Sequence, residues 1–465
     1  VRLETLMARK IGMNPERVLE ASARLSSCSG GLDGVRASVD RLVLASLNPV
    51  GYGVQPGGLI IAPWSIAGTT YAALTVRSAV DAVRELTRQL LTEALEQLEA
   101  SDAQGSGLSP TAVSALTRAV LLDPDVITHL RPEQVAAWWS NLTREQQDHL
   151  IQHHPLVMGN AEGIPYSVRD AANRQALDQM LADPELPVGQ RRSLESVRDA
   201  LAEAQRRDVP HQLIILDFPA GADARAAISY GTLDDADSIG LLVPGMDNTV
   251  DNGMSKLGTA AYNLYREQQL LLDKAGEGGS PAVIAWMGYQ TPGALPNTAV
   301  LEEGRAQDGS VYLTQTLGGI DATVAHDPRV TVFAHSYGSR TATYSLSGGG
   351  SADALVMFGS PGVAEGVDSV SRLTVPSGQV YVTRADADST AWWGLVGSGN
   401  TDPLSAGFGA VPFSSEGALG REGIDGHGML LAEDSNGSSF GYLDSNSDSL
   451  YDMALIGLGR GGDIE

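Results

Sequence analysis

The chain reads as an α/β protein: a mainly parallel sheet covered by helices on both faces, preceded by a mostly helical N-terminal region. Three observations predict this. From His211 onward, short β-branched apolar runs alternate with helical stretches, as in sheets whose strands are buried on both faces. Before His211, apolar residues recur at helical spacing instead. One apolar run, RVTVFAH, passes through the turn SYG straight into the small, polar helix GSRTATYSLS.

At 465 residues the chain has room for two or three domains, and 43% hydrophobic residues supply a large core. Composition shifts divide it into a helical hairpin (1–105), a helical linker or cap region (106–207) and the α/β domain (208–465). A formal charge of -25 argues against nucleic acid and anionic membranes as partners, because phosphate binding needs clustered Lys and Arg. Cys28 is the only cysteine, which excludes disulfides within the chain and cysteine-based zinc sites. The longest apolar stretches, VDRLVLASL and GGLIIAPW, fall far short of the roughly 18 residues that a membrane span needs. The opening VRLETLMARKIGM has no signal-peptide apolar region. A soluble cytoplasmic protein is the expectation.

Taken in order, Asn14 and Pro15 form a helix cap and first turn. Two heptad rows follow, Val18, Leu25, Leu32, Val39 and Ala21, Cys28, Val35, Leu42. After NPVGYGVQPGG, a second periodic segment carries Val76, Ala79, Val83, Leu86 and Leu90. The short connection makes an antiparallel hairpin with arms of roughly 50 Å. It serves as an intramolecular cap, a dimerisation arm or a secretion-like arm. The linker SDAQGSGLSP leads to shorter helices up to Arg207, where Trp138 and Trp139 are expected to pack. Residues 155–175, with Arg169 and Asn173, are expected to run close to the α/β core.

The predicted strands are HQLIILDF, ARAAISYG, SIGLLVPG, PAVIAWMG, RVTVFAHS, ADALVMFGS and QVYVTR. Helices are expected at TAAYNLYREQQLLLDKA, around VYLTQTLGGIDATVA, at GSRTATYSLS and near SLYDMALIGL. In such sheets a site forms at the carboxyl ends of the strands.

Two serines compete for a chemical role. The segment AHSYG around Ser336 departs from the G-x-S-x-G elbow pattern at Ala334, whereas GSSFG around Ser439 matches in full. With 53 glycines, one accidental match is expected on the order of once. Context separates them. A buried β-branched strand precedes AHSYG and a helix follows it, while AEDSNG before GSSFG is turn composition. Triads on a strand–elbow–helix scaffold run serine, then Asp or Glu, then histidine. Of the eight histidines only His427 follows Ser336, and none follows Ser439.

A serine hydroxyl is a weak nucleophile, so an imidazole must take its proton as it attacks a carbonyl carbon. His427 lies in the Gly-rich loop GIDGHGML, which can bring its ring to the elbow. A carboxylate must then hold the ring's tautomer. After QVYVTR, the segment ADADSTA offers Asp388, preferred, and Asp386, with Asp402 and Asp425 less well placed. The oxyanion needs preorganised N–H donors. These are expected from Tyr337, next to the nucleophile, and from Gly245 or Met246 after SIGLLVPG.

These residues resemble an actinobacterial α/β-hydrolase-like family long described only as a domain of unknown function, with a helical part before a serine-hydrolase core. The similarity covers residues 130–460 and is carried by WWSNLTREQQDHLIQHHP, GIPYSVRDAANR, LLVPGMDN, FAHSYGS, LVMFGSPGV, VTRADADSTA with TDPLSAGFGA, GHGML and FGYLDSNSDSLYDMA. It implies an α/β-hydrolase fold with Ser336 as nucleophile, His427 as base and Asp388 as acid, and it implies acyl hydrolysis without naming a substrate. ADST stands where an Asp-Pro dipeptide is expected, which keeps Asp386 open, and a polar insertion follows His427. The hairpin is faintly similar to small type VII secretion substrates, although WSIAG places Gly68 four residues after Trp64 and so lacks their W-x-G turn.

The expected function is a serine hydrolase of a small-molecule carboxylic ester, without cofactor or metal. DSNSDS lacks the glycine and glutamate of a calcium loop, and His149 with His153 lacks the acidic partner of a zinc helix. An amidase, lactonase or acyltransferase on the same triad is the alternative. So is a non-catalytic binding protein linked to type VII secretion, exported without a classical signal peptide. A homodimer through the hairpin is the partner reading for the N-terminal region.

Overall fold

The computed structural model describes residue 127 and residues 130–464, apart from 220, 294–302, 419 and 432–438. The chain divides into two compact units, Val1–His129 and Leu130–Glu465. The hairpin of residues 1–105, with its dimerisation and secretion readings, lies outside the described residues.

Helices α1 (Pro132–Ser140), α2 (Arg144–His153), α3 (Pro155–Asn160), α4 (Tyr166–Ala182) and α5 (Val188–Arg206) open the second unit. Local chemistry sets their starts. Pro132 occupies the first turn of α1, where its missing N–H is no loss. Thr143 caps α2 in a reciprocal box with Gln146. Trp139 is buried and Trp138 half-buried, in keeping with a packing role. The segment 155–175 does meet the sheet. Arg169, fully buried on α4, pairs with Glu162 and donates to the carbonyls of Gly159 and Ile214, while Asn173 donates to Gly159 and Leu213.

The strands are β1 (His211–Asp217), β2 (Arg225–Tyr230), β3 (Ser238–Val243), β4 (Pro281–Met287), β5 (Arg329–His335), β6 (Ala354–Phe358), β7 (Val380–Thr383) and β8 (Val411–Pro412). They form one sheet in the order β1-β2-β4-β3-β5-β6-β7-β8. Strand β2 runs antiparallel to both its neighbours and every other pairing is parallel. The two-residue β8 was not foreseen; it is too short to leave a periodic signal.

Helices α6 (Val250–Ala275), α7 (Gly304–Thr323), α8 (Gly338–Ser347), α9 (Ser389–Ser398) and α10 (Asp448–Gly457) complete the layers. Helix α6 starts earlier than its apolar run, because Thr249 and Asn252 form a capping box, and it ends on Gly276 in the left-handed conformation. Apolar side chains of α4, α5, α6 and α10 pack one face of the sheet; those of α7 and α8 pack the other. This three-layer arrangement is an α/β-hydrolase fold, and it gathers the ends of β3, β5, β6 and β7 on one edge.

Candidate active site

Strand β5 ends at His335 and α8 begins at Gly338, so Ser336 and Tyr337 make the turn between them. Ser336 has φ +52°, a left-handed backbone that a non-glycine residue adopts at some strain. Its N–H donates to the Phe358 carbonyl at 3.0 Å, which fastens the turn to the end of β6. Ala334 sits within the ladder, paired with Val243 and Met357. The glycine this turn requires is instead Gly338, where a Cβ would lie 2.6 Å and 2.8 Å from the carbonyl oxygens of Val243 and Pro244. That explains why alanine is tolerated at the first position of the pattern.

The His427 ring bridges Ser336 and Asp388. Its Nε2 is 2.8 Å from Ser336 Oγ and its Nδ1 is 2.9 Å from each oxygen of Asp388. A carboxylate can only accept, so Nδ1 carries a proton, and Nε2 stands within hydrogen-bond distance of the serine hydroxyl. Ser336 and Asp388 are 4% and 2% exposed. Asp386, two residues earlier, is exposed, and its N–H donates to Glu416. Asp402 pairs with Arg384, and Asp425 accepts from the Phe440 N–H.

Asp388 has two further partners. It caps α9, accepting from the Ala391 N–H at 2.9 Å, and it accepts from the Tyr442 hydroxyl at 2.9 Å. Burial by itself would raise its pKa, but hydrogen bonds from His427, Ala391 and Tyr442 outweigh that and hold the carboxyl below its ordinary value. Tyr442 also accepts from the Ala385 N–H at 3.0 Å, so one phenol braces the turn that carries Asp388. Sequence reasoning passed over Tyr442. It also passed over a signal favouring Asp388 over Asp386: in DSTA the Asp occupies an N-cap position before the helix AWWGLVGS.

Gly245 is pressed against Ser336; a Cβ there would lie 2.7 Å from Ser336 Cβ and 3.1 Å from its Oγ. The Asn248 amide ties the Gly245–Met246 turn by donating to both carbonyls, at 3.1 Å and 2.8 Å. Thr291 and Pro292, beyond β4, hold Asn248 and Asp247 in turn. Main-chain segments Gly245–Met246 and Ser336–Tyr337 therefore meet at the serine.

His335, which was not singled out from the sequence, lies under this cluster. Its Nε2 is 2.7 Å from the His427 carbonyl oxygen, and the two rings are 4.9 Å apart. Ser439 occupies an irregular, half-buried segment with no helix directly after it. His149 and His153 stack at 4.2 Å. Among the described residues, no group of three or more His, Cys, Asp or Glu is arranged to hold a metal ion, and no helix is long and apolar enough to cross a membrane.

A family model described as alpha/beta hydrolase matches residues 219–393. An uncharacterized protein of Mycobacterium tuberculosis is 30% identical over 381 residues, covering 70% of this chain and 56% of the relative. An uncharacterized Mycobacterium bovis protein is 29% identical over 225 residues, covering 47% of this chain and 78% of the relative. The chain thus spans just over half the length of the M. tuberculosis relative, and its similarity is to an uncharacterized actinobacterial α/β-hydrolase-like family. Among solved structures, a hyperthermophilic esterase from Pyrobaculum calidifontis is 12% identical, with a TM-score of 0.30, covering 62% of this chain and 97% of that one. A truncated carbohydrate esterase from gut microbiota is 11% identical, with a TM-score of 0.30, covering 51% and 91%.

Proposed function

We propose that this chain is a serine hydrolase that cleaves a carboxylic ester of a small molecule through an acyl-enzyme on Ser336. The observation that carries the reading is the continuous hydrogen-bonded line from Ser336 Oγ through both nitrogens of His427 to a buried Asp388. It is joined to a nucleophile held at positive φ on a strand-to-helix turn.

In this mechanism His427 Nε2 takes the hydroxyl proton as Ser336 Oγ attacks the ester carbonyl carbon. The carbonyl oxygen becomes an oxyanion, for which the Tyr337 N–H and an N–H of the Gly245–Met246 turn are the proposed donors. His427 then passes its proton to the leaving alkoxide, the C–O bond breaks, and the acyl group stays on Ser336. Water, deprotonated by the same ring, attacks the acyl carbon; the acid is released and the serine hydroxyl is restored. Asp388 keeps the ring in its Nδ1–H tautomer and stabilises the imidazolium formed in each half of the cycle.

The test is labelling with a fluorophosphonate probe. Wild type and Ser439→Ala are expected to label and Ser336→Ala is not. Labelling of Ser336→Ala together with its loss in Ser439→Ala would move the nucleophile to the other serine. An unlabelled wild type would end the enzyme reading.

A further inference from the structure

We infer that His335 is a positioning residue: a neutral imidazole, adjacent in sequence to the nucleophile, that holds the base in place by donating from Nε2 to the His427 carbonyl oxygen. The functional consequence rests on the serine-hydrolase reading; the bond itself rests on geometry. His335 is 6% exposed at the end of β5, and its Nε2 lies 2.7 Å from that carbonyl. A carbonyl oxygen cannot donate, so Nε2 must carry a proton. Nδ1 is buried with no hydrogen-bond partner, and a second proton there would be charged, desolvated and unaccepted. The ring is therefore the neutral Nε2–H tautomer. Phe358 packs against it at 5.1 Å and Tyr442 at 6.2 Å, and the ionisable groups facing it are His427, Asp388 and Tyr442. Burial, and then the neighbouring His427, push its pKa down to about 3.

The base needs such a hold because no helix or strand carries it. His427 lies in GIDGHGML, whose main chain is tied at Ile424 to Ser415, at Gly428 to Tyr442 and at Met429 to Leu443. At residue 427 itself the carbonyl is tied to His335. Consecutive residues of the β5 elbow thus grip one histidine at two points: Ser336 Oγ meets its ring and His335 Nε2 meets its main chain. A rigid strand end sets where the base stands relative to the nucleophile. Reaction rates are steep in that placement, with a 1 Å displacement able to cost about a hundredfold.

The test compares His335→Phe, which keeps a buried ring without a donor, with His335→Gln, which keeps an N–H donor, using p-nitrophenyl acetate. The expected result for His335→Phe is kcat lowered about 10- to 100-fold with KM changed by no more than about twofold. His335→Gln is expected to recover most of the lost kcat. A wild-type kcat in His335→Phe, or equal impairment of both variants, overturns the inference. Should His335→Phe fail to fold, nitrogen-15 NMR of the wild-type chain decides, with His335 assigned by the resonance missing from His335→Gln. An Nε2–H ring that stays neutral from about pH 5 upward supports the inference, and an Nδ1–H ring or one titrating near its ordinary value overturns it. The tautomer measurement stands even if the wild type neither labels with fluorophosphonate nor hydrolyses ester, so the two readings fail separately.

Discussion

Ser336 and His427 meet at 2.8 Å, yet opposite kinds of structure deliver them. The serine arm is regular: β5 sits in the middle of the sheet, between β3 and β6, and α8 starts immediately after the turn. Its position is over-determined by ladder bonds, by buried apolar residues on both faces and by the close approach of Gly338 to β3. Among the described residues from β8 to α10, the histidine arm has almost no regular structure. It is held by separate bonds: His335 to His427, Tyr442 to Asp388, and Asp444 to the N–H groups of Leu431 and Gly441. One arm has redundancy, whereas single substitutions reach the geometry of the other.

The strongest way to break this comparison is Asp388→Asn. Asparagine can still accept from the Ala391 N–H, so α9 keeps its cap, but it offers His427 a side chain that no longer selects the Nδ1–H tautomer. A kcat loss of about 10³- to 10⁴-fold is expected, with a melting temperature near wild type, while Asp386→Asn stays close to full activity. Steady-state kinetics on one ester for both variants checks this. A loss smaller than about tenfold in Asp388→Asn would remove that residue from the mechanism.

Next in size is Gly359→Ala, where the arms touch. Gly359 has φ +58°, and an added Cβ would lie 3.0 Å from Asp388 Oδ2, 3.3 Å from the Tyr442 ring and 3.4 Å from the His427 ring. Left-handed strain of about 1–2 kcal/mol is expected in denaturant melts. Activity should fall further than that strain accounts for, because the displaced groups are Asp388 and His427, the proposed acid and base. A drop in stability with unchanged kcat would mean that the loop arm adjusts freely.

Tyr442→Phe removes one bond from Asp388 and leaves the Ala385 N–H without its partner. About 1–2 kcal/mol of stability and roughly tenfold in kcat are expected to go. Equal activity in both proteins would show that α9 and His427 hold Asp388 without the phenol.

The last effect, on pH dependence, is nil at neutral pH and grows only on acidification. In the folded chain His335 takes a proton only near pH 3, against an ordinary value of 6.5. Below the ordinary value the unfolded chain binds the proton and the folded chain does not, so stability is full above it and declines toward pH 3. Asp388, whose folded pKa is lowered, adds to the loss in the same direction, and only at the acid end. Thermal melts should therefore soften at up to about 1.4 kcal/mol per pH unit from His335 alone, and His335→Gln should show a shallower slope. Parallel slopes in the two proteins would place the acid sensitivity elsewhere.

Much of this was legible in the sequence, for identifiable reasons. Buried parallel strands are continuous apolar runs, and HQLIILDF, SIGLLVPG, PAVIAWMG and RVTVFAHS announce themselves. Chain order singled out His427 because no other histidine follows Ser336, and the structure brings the two together. The start of α6 was missed because a cap is polar and lies outside the apolar run it begins. Tyr442 and His335 were missed because neither bond has a local signature: Tyr442 reaches Asp388 across 54 positions, and His335 reaches His427 across 92.

Sequence alone determined the layered α/β class, the elbow at Ser336 and the set of acidic residues from which a partner for His427 could come, because hydrophobic period and turn chemistry are local properties. Tertiary structure decided which aspartate faces the imidazole, which glycine the elbow cannot lose and what holds the loop that carries His427. Those depend on side chains distant in the chain arriving at one sheet edge, and a hydrogen bond of 2.7 Å across 92 positions leaves no trace in either segment read by itself.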